Sequence, residues 1–430
     1  MLDTNLQHPS DQIVEIITRI YRARLTTTSG GNISIKDAEG NIWITPAAVD
    51  KGTLQRTDIV CMDVDGNKIS GFHQPSSEYL FHRSIYEARP DLTAILHAHP
   101  PALVSFATVR KVPSMNIIPQ ARKVCGEIGY APYACPGTEA LGDSISEQFQ
   151  RGFNSVVMEN HGTVVGGRDL KEAFVRFETF EFSARTIINA SIIGKPVYLS
   201  DEQIEIFESR IPGDMPESDH VDYPEKERSI RRNIASIVQR SCAQGMMISS
   251  YGNISVRWQG DDFLITPRDM ARSEMGLEDI VQIRDGKREP GKLPSRSVSV
   301  HQKIYQHNPH INSIITTQPS NLMAFGVARK KIDVRTIPES WVLLKDIPTL
   351  GFGVQYTEPD EIARSFGPDR PAILIENDGF IVTGDKLLET FDRLEVAEFS
   401  ARSLVMGHSL GELVPINEEQ VAELRRRFSS

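Results

Sequence analysis

Three things are scarce in this 430-residue chain, and each absence narrows the reading. Uninterrupted apolar runs are short. None reaches the roughly 18 residues a bilayer-crossing helix needs, so no membrane span is expected. Met1–Ser10 is polar and has no apolar core of the kind a secretory leader carries. Cysteine is rare. Cys61, Cys125, Cys135 and Cys242 form neither a CxxC pair nor a dense framework, so they read as reduced thiols of a cytoplasmic protein. Positive charge is in deficit. Lys and Arg number 47 against 57 Asp and Glu, a net charge of −10, which argues against nucleic acid or an anionic membrane as the main partner.

What the chain does contain is a repeat. At this length two domains are the natural expectation. Gly31-Asn32-Ile33-Ser34 returns as Gly252-Asn253-Ile254-Ser255, and Ile44-Thr45-Pro46 as Ile265-Thr266-Pro267. Asp58-Ile59-Val60 returns as Asp279-Ile280-Val281, and His82-x-x-Ile85-Tyr86 as His301-x-x-Ile304-Tyr305. Near the end of the pattern, Glu159-Asn160-x-Gly162 returns as Glu376-Asn377-x-Gly379. A steady offset across so many short matches means a tandem duplication. The expected division is 1–212 and 228–430, joined by a polar, Pro-containing linker at 213–227.

Local patterns sketch the first copy. Ser10 or Asp11 is placed to cap a helix carrying Ile13, Ile16, Ile17 and Ile20. Asn32–Lys36 and Ile42–Thr45 read as a hairpin, and Ile59–Asp63 as a further strand. Glu78–Glu87, Gly137–Gln150, Asp169–Ala190 and Ser200–Ser209 read as helices. Val112–Ile118 and Gly129–Tyr133 read as extended, and Ser155–Val165 as a strand pair.

Chemistry concentrates in copy one. In Ala94-Ile95-Leu96-His97-Ala98-His99-Pro100 the two histidines are two apart, so a strand projects both to one face. Adjacent imidazoles repel when both are protonated, and a divalent metal removes that conflict by taking neutral nitrogen ligands. An ordinary hydrogen-bonded pair is the alternative for the motif alone. His161, after the apolar Val156 and Val157, is a third candidate ligand, and Glu78 is a nearby candidate carboxylate. Copy two has Ser297, Thr316, Gln318 and Asp378 at the places of Glu78, His97, His99 and His161. The whole set is lost at once while turn and core residues persist, so folding does not need it.

Taken together, Gly31-Asn32-Ile33-Ser34, Ile44-Thr45-Pro46, Pro75-Ser76-Ser77-Glu78, His97-x-His99 and Asn160-His161-Gly162 resemble the class II aldolase/adducin family. The resemblance covers nearly all of 10–210 and again 228–428. It implies an α/β fold: a tandem of α/β/α layered domains, each with a largely antiparallel central sheet. It implies a divalent metal, usually zinc, on His97, His99 and His161. Glu78 matches the catalytic acid/base of aldolase-type members. Gly31, Asn32, Ser76 and Ser77 match residues that hold a substrate phosphate.

The implied activity is a metal-dependent lyase that cleaves a small sugar phosphate or related hydroxy-carbonyl compound. A Lewis acid stabilises the enediolate left by carbon–carbon cleavage, and a carboxylate beside it moves the proton. Dehydration or decarboxylation on the same platform, and a non-enzymatic adducin-like scaffold, are the alternatives. Epimerase members carry Asp where Glu78 stands, which disfavours that reaction. Ala47-Ala48 replace the hydroxyl residue and glycine common after the Thr-Pro, and Met115–Pro119 holds no match for a second catalytic tyrosine. The resemblance further implies a homo-oligomer in which two chains give a four-domain ring, copy two serving as structural partner.

Overall fold

The computed structural model describes residues 7–209, 215–219 and 223–428. Residues 1–6 and the linker positions 213, 214 and 220–222 lie outside the described residues. Contacts divide the chain into two compact units, one of residues 1–115 and 120–185, the other of 116–119 and 186–430.

The first unit is built on an eight-stranded sheet. Its strands are β1 (Asn32–Lys36), β2 (Ile42–Ile44), β3 (Val60–Met62), β4 (Lys68–Ser70), β5 (Ala94–Ala98), β6 (Gly129–Ala131), β7 (Ser155–Met158) and β8 (Gly162–Gly167). They lie in the order β4-β3-β2-β1-β5-β8-β7-β6, and every pair is antiparallel except β6 with β7. The helices of the first repeat are α1 (Pro9–Arg22), α2 (Tyr79–Ala88), α3 (Pro101–Thr108), α4 (Pro119–Cys125), α5 (Glu139–Gln150), α6 (Leu170–Ile193) and α7 (Asp201–Glu208). One core fills the space between the sheet and α2 with α5. There Phe81, Ile85, Leu141, Ile145 and Phe149 meet Ile44, Val60, Ile95, Val156 and Val164. The central strands β5 and β8 are buried along their whole length, with Ile95, Leu96, Val164 and Val165 at their middle.

The second unit repeats this plan. Its strands are β9 (Asn253–Gln259), β10 (Asp262–Ile265), β11 (Val281–Arg284), β12 (Lys287–Arg288), β13 (Ser313–Thr317), β14 (Thr349–Leu350), β15 (Ala372–Ile375) and β16 (Gly379–Gly384). Their order, β12-β11-β10-β9-β13-β16-β15-β14, is that of the first sheet shifted by eight. Its helices are α8 (Glu225–Ala243), α9 (Val298–His307), α10 (Ser320–Val327), α11 (Pro338–Leu344), α12 (Val354–Thr357), α13 (Pro359–Ser365), α14 (Leu387–His408) and α15 (Glu418–Phe428).

Several local expectations change. α1 is capped not by Ser10 or Asp11 but by His8, whose Nδ1 accepts from the Ser10 N–H. Pro9 takes the first helical position, where its missing N–H costs nothing. The stretch expected to be extended at Val112–Ile118 contains a 3₁₀ turn at Met115–Ile117, and α4 follows directly. The turn is stabilised from a distance, since the Leu199 N–H donates to the Asn116 carbonyl at 2.8 Å. Part of the expected linker is structured as well. Ser218 donates to the Arg288 carbonyl at 2.9 Å, and the Arg288 N–H donates to the Pro216 carbonyl at 2.9 Å. No described helix is long and apolar enough to cross a membrane.

Candidate metal centre

Register brings the site together. On the β1–β5 pair Asn32 stands opposite His97, and on the β5–β8 pair His97 stands opposite Val164. His99 follows β5 by one residue. His161 sits in the tight β7–β8 connection, where Asn160 takes a left-handed φ of 52° and the His161 N–H donates to the Met158 carbonyl at 3.1 Å. Asn tolerates that backbone because its short polar side chain lowers the steric cost. Glu78 immediately precedes α2. Its N–H donates to Ser76 Oγ at 3.3 Å, and the Ser76 N–H donates to the Thr45 carbonyl at 3.1 Å, so the loop is pinned to the end of β2.

The three histidines converge. The His97 and His99 Nε2 atoms are 2.9 Å apart, and the His161 ring centroid is 4.9 Å and 5.1 Å from the other two. One donor atom from each ring fits within a span of 4.8 Å, and this is the one such cluster of metal-ligating side chains among the described residues. That is the scale of a single ion, whose tetrahedral nitrogen ligands at about 2.1 Å stand about 3.4 Å apart. His97 donates from Nδ1 to the Thr163 carbonyl at 2.9 Å, which leaves its Nε2 lone pair facing the cluster. Buried His161 Nδ1 has no hydrogen-bond partner.

The histidines are held neutral. Burial, and then repulsion from His99 and His161, push His97 far below its ordinary value. Burial followed by the His161 charge lowers His99 to about 4. Burial also lowers His161, against the pull of the Glu78 charge. Neutral imidazole is the form that ligates metals, so the chemistry of the donor set fits a divalent cation.

Glu78 closes the ring of donors. Its Oε2 lies 3.4 Å from His97 Nε2, and its Oε1 lies 3.3 Å from His161 Nε2. Oε2 accepts from Asn32 Nδ2 at 2.7 Å, whereas Oε1 is buried without a hydrogen bond. Among the residues matched to phosphate binding, the Asn32 amide is thus occupied from both ends: Nδ2 holds Glu78, and Oδ1 accepts from His82 Nε2 at 2.5 Å. Ser77 is exposed, Ser76 is buried, and Gly31 adopts a φ of 72° where a Cβ would lie 2.8 Å from the His97 carbonyl oxygen.

His82 is the participant that sequence reasoning passed over. Its Nδ1 is 2.7 Å from Ser34 Oγ, which is in turn 2.8 Å from the Tyr86 hydroxyl. A buried relay of Tyr86, Ser34, His82 and Asn32 therefore ends on the Glu78 carboxylate. Complete burial drives His82 down to about 3, so it is a fixed neutral donor rather than a proton carrier. The signal was present in the repeated His-x-x-Ile-Tyr, which marks buried polar residues in an otherwise apolar helix face.

Comparisons with known proteins identify the family of the chain. The family model described as Class II Aldolase and Adducin N-terminal domain matches residues 11–188 and again 232–405. The chain belongs to this family. An L-fuculose phosphate aldolase from Methanocaldococcus jannaschii is 33% identical over 179 residues, spanning 41% of this chain and 95% of the relative. A 3-oxo-tetronate 4-phosphate decarboxylase from Haemophilus influenzae is 27% identical over 203 residues, spanning 46% and 95%. A solved L-fuculose 1-phosphate aldolase is 31% identical with a TM-score of 0.43, covering 49% of this chain and 97% of that one. Both copies are class II aldolase-type domains, and the histidine cluster belongs to the first.

Proposed function

We propose that copy one is a divalent-metal-dependent lyase, zinc being the first candidate, that cleaves a carbon–carbon bond in a small sugar phosphate. The observation that carries this reading is the Glu78 carboxylate, with one oxygen fixed by Asn32 and the other buried, unbonded and 3.3 Å from a histidine of the cluster. His97, His99 and His161 hold the metal, which when bound supplies Lewis-acid polarisation of the substrate carbonyl. Glu78 Oε1 takes and returns the proton, because Asn32 leaves that oxygen free to reach substrate. The relay from Tyr86 through His82 keeps the Asn32 amide from turning. Gly31, Asn32, Ser76 and Ser77 carry the phosphate reading, in which the exposed Ser77 is the accessible member, the Ser76 N–H being committed to the Thr45 carbonyl. A homo-oligomer of the tandem chain completes the proposal.

Decarboxylation of a phosphorylated 3-oxo acid is the second reading, favoured by the similarity to 3-oxo-tetronate 4-phosphate decarboxylase. Both reactions release a carbon fragment and leave the same kind of electron-rich carbon beside a polarised carbonyl, so the same side chains serve either. A screen of ketose phosphates and phosphorylated 3-oxo acids, read as aldehyde or carbon dioxide release, separates them. Glu78→Gln is expected to retain the metal and lose on the order of 10²–10⁴-fold in turnover. Activity within about threefold of wild type would place the proton transfer elsewhere.

A further inference from the structure

The loops that flank the histidine cluster in copy one recur in copy two on the same backbone frame. The Ala47 N–H donates to the Gln74 carbonyl at 3.0 Å, and the Arg268 N–H donates to the Leu293 carbonyl at 3.0 Å. The Ser76 N–H donates to the Thr45 carbonyl at 3.1 Å, and the Ser295 N–H to the Thr266 carbonyl at 2.9 Å. Ala48 and Asp269 share a left-handed φ, 56° and 54°. On this frame Arg268, Arg272 and Arg296 stand where copy one has Ala47, Lys51 and Ser77. Copy one thus has one buried cation beneath the loop, and copy two keeps a cation there and adds two.

Hydrogen bonds link these side chains into one ring. Arg272 donates from Nε to the Gly252 carbonyl at 2.7 Å and from Nη1 to the Met270 carbonyl at 3.1 Å. Asn253, the residue after Gly252, donates from Nδ2 to Ser297 Oγ at 3.2 Å. Arg296, beside Ser297, donates from Nη2 to Asp269 Oδ1 at 2.9 Å, and Arg268 Nε donates to the Pro294 carbonyl at 3.2 Å. Arg272 is 2% exposed and forms no ion pair among the described residues. A buried guanidinium met only by carbonyls keeps an uncompensated charge, which an arriving anion offsets. Asp269 sets a single carboxylate against the three arginines.

The other end of the ring offers acceptors. Asn253 is 6% exposed, and its Oδ1 is buried without a hydrogen bond, as is Gln318 Oε1. A buried acceptor in that state carries a desolvation cost that a donor removes. Asp378, in the place of His161, accepts from the Tyr356 hydroxyl at 3.3 Å. Space has opened between the two ends. A Cβ at Gly379 would meet nothing closer than 3.3 Å, whereas one at Gly162 would stand 2.6 Å from its nearest neighbour. Ser297 and Thr316 are also smaller than the Glu78 and His97 whose places they take.

We propose that copy two binds a hydroxylated organic phosphate without a metal, the phosphate on Arg268, Arg272 and Arg296 and the hydroxyls on Asn253, Gln318 and Asp378. The site is polarised, with donors at one end and acceptors at the other, and a phosphate ester of a polyol carries the matching groups. Planar guanidinium forks suit phosphate oxygens. With Ser297 in the place of Glu78 and no histidine cluster, the ligand is held and not cleaved. The inference concerns copy two alone and does not rest on the reaction assigned to copy one.

Isothermal titration calorimetry on the full chain, treated with a chelator to remove metal, tests the proposal. The probes are ribose 5-phosphate, sn-glycerol 3-phosphate, gluconate and inorganic phosphate. At least one of the two esters is expected to bind. Arg268→Ala/Arg296→Ala, at half-buried and exposed positions, is expected to weaken that binding at least about tenfold with an unchanged thermal midpoint. The charge-matched control Arg426→Ala/Arg427→Ala, on exposed residues of α15, is expected to stay within about twofold of wild type. Gln318→Leu is expected to weaken the ester and leave inorganic phosphate unchanged. Failure of both esters to bind at about 5 mM, or equal affinity in the Arg268/Arg296 variant and its control, would overturn the site. Gluconate binding as tightly as the esters would overturn the assignment of phosphate.

Discussion

Gly162→Ala is the substitution whose outcome the structure fixes most tightly. A Cβ at Gly162 would stand 2.6 Å from the Ala98 carbonyl oxygen and 2.7 Å from His99 Cδ2. Both neighbours are held in place. Ala98 is paired in the sheet with Thr163, the residue after the substitution, and His99 is one of the clustered rings. The methyl must therefore either part β5 from β8 or tilt the His99 ring. Overpacking of this kind costs about 1–3 kcal/mol, and displacement of a ligand from its orientation costs about 10–100-fold in metal affinity. Copy two provides the control within one molecule. At Gly379 the nearest heavy atom to an added Cβ is the Thr317 carbonyl oxygen at 3.3 Å, and the side chains of Gln318 and Thr316 lie at 3.8 and 3.9 Å. Gly379→Ala should cost less than about 1 kcal/mol, because its neighbours need give only a few tenths of an ångström. The assay is a zinc competition titration against a chromogenic chelator, together with urea unfolding of the metal-free protein. Equal effects of the two substitutions, or full zinc affinity in Gly162→Ala, would refute the claim that this glycine exists to admit the histidine pair.

Elemental analysis should return one divalent metal per chain, and His161→Ala should abolish it, since an open three-histidine site has no ligand to spare; two metals per chain would place a second site in the degenerate copy. Stability should fall in acid with a slope set by buried histidines. His301 has its folded pKa lowered to about 3 by complete burial, from an ordinary 6.5, so the unfolded chain binds a proton that the folded one refuses. Its contribution is therefore complete above pH 6.5 and is lost as the pH falls from 6.5 toward 3, at about 1.4 kcal/mol per pH unit. His301→Gln should shallow the pH dependence of unfolding between pH 4 and 6 by about one proton, and an unchanged slope would show that His301 is protonated in the folded state.

The sequence made the duplication and the four chemical residues visible because both depend on identity and spacing alone. Glu78, His97, His99 and His161 are separated by up to 83 positions, yet the register of β1, β5 and β8 draws them within a few ångströms. What stayed hidden depends on partners far along the chain. The turn at Met115–Ile117 is stabilised by Leu199, and no local pattern reports a bond across 83 residues. Ser10 and Asp11 looked like caps by type, but Pro9 starts the helix one turn position earlier and passes the cap to His8. His82 looked like one more repeated residue because its role appears only when Ser34 and Asn32 are placed on either side of its ring.

The two copies separate what the fold requires from what the chemistry requires. Ser255 Oγ lies 2.7 Å from His301 Nδ1 and 2.7 Å from the Tyr305 hydroxyl, so the base of the relay survives in copy two. Its far end does not. With Ser297 in the place of Glu78, Asn253 Nδ2 donates to Ser297 Oγ at 3.2 Å, and Asn253 Oδ1 is buried without a partner. His301 Nε2 turns to Thr316 Oγ1 at 3.1 Å instead. Thr316 occupies the place of His97, so a single hydroxyl stands where copy one has a clustered histidine and at the same time satisfies the histidine that the asparagine no longer serves. In copy one that histidine is committed to Asn32, and Asn32 to the carboxylate. The buried Tyr-Ser-His core is thus a structural feature of both domains. Its extension through Asn32 to Glu78 occurs only where the three clustered histidines occur, so the orientation of that carboxylate goes with the cluster and not with the fold that both copies share.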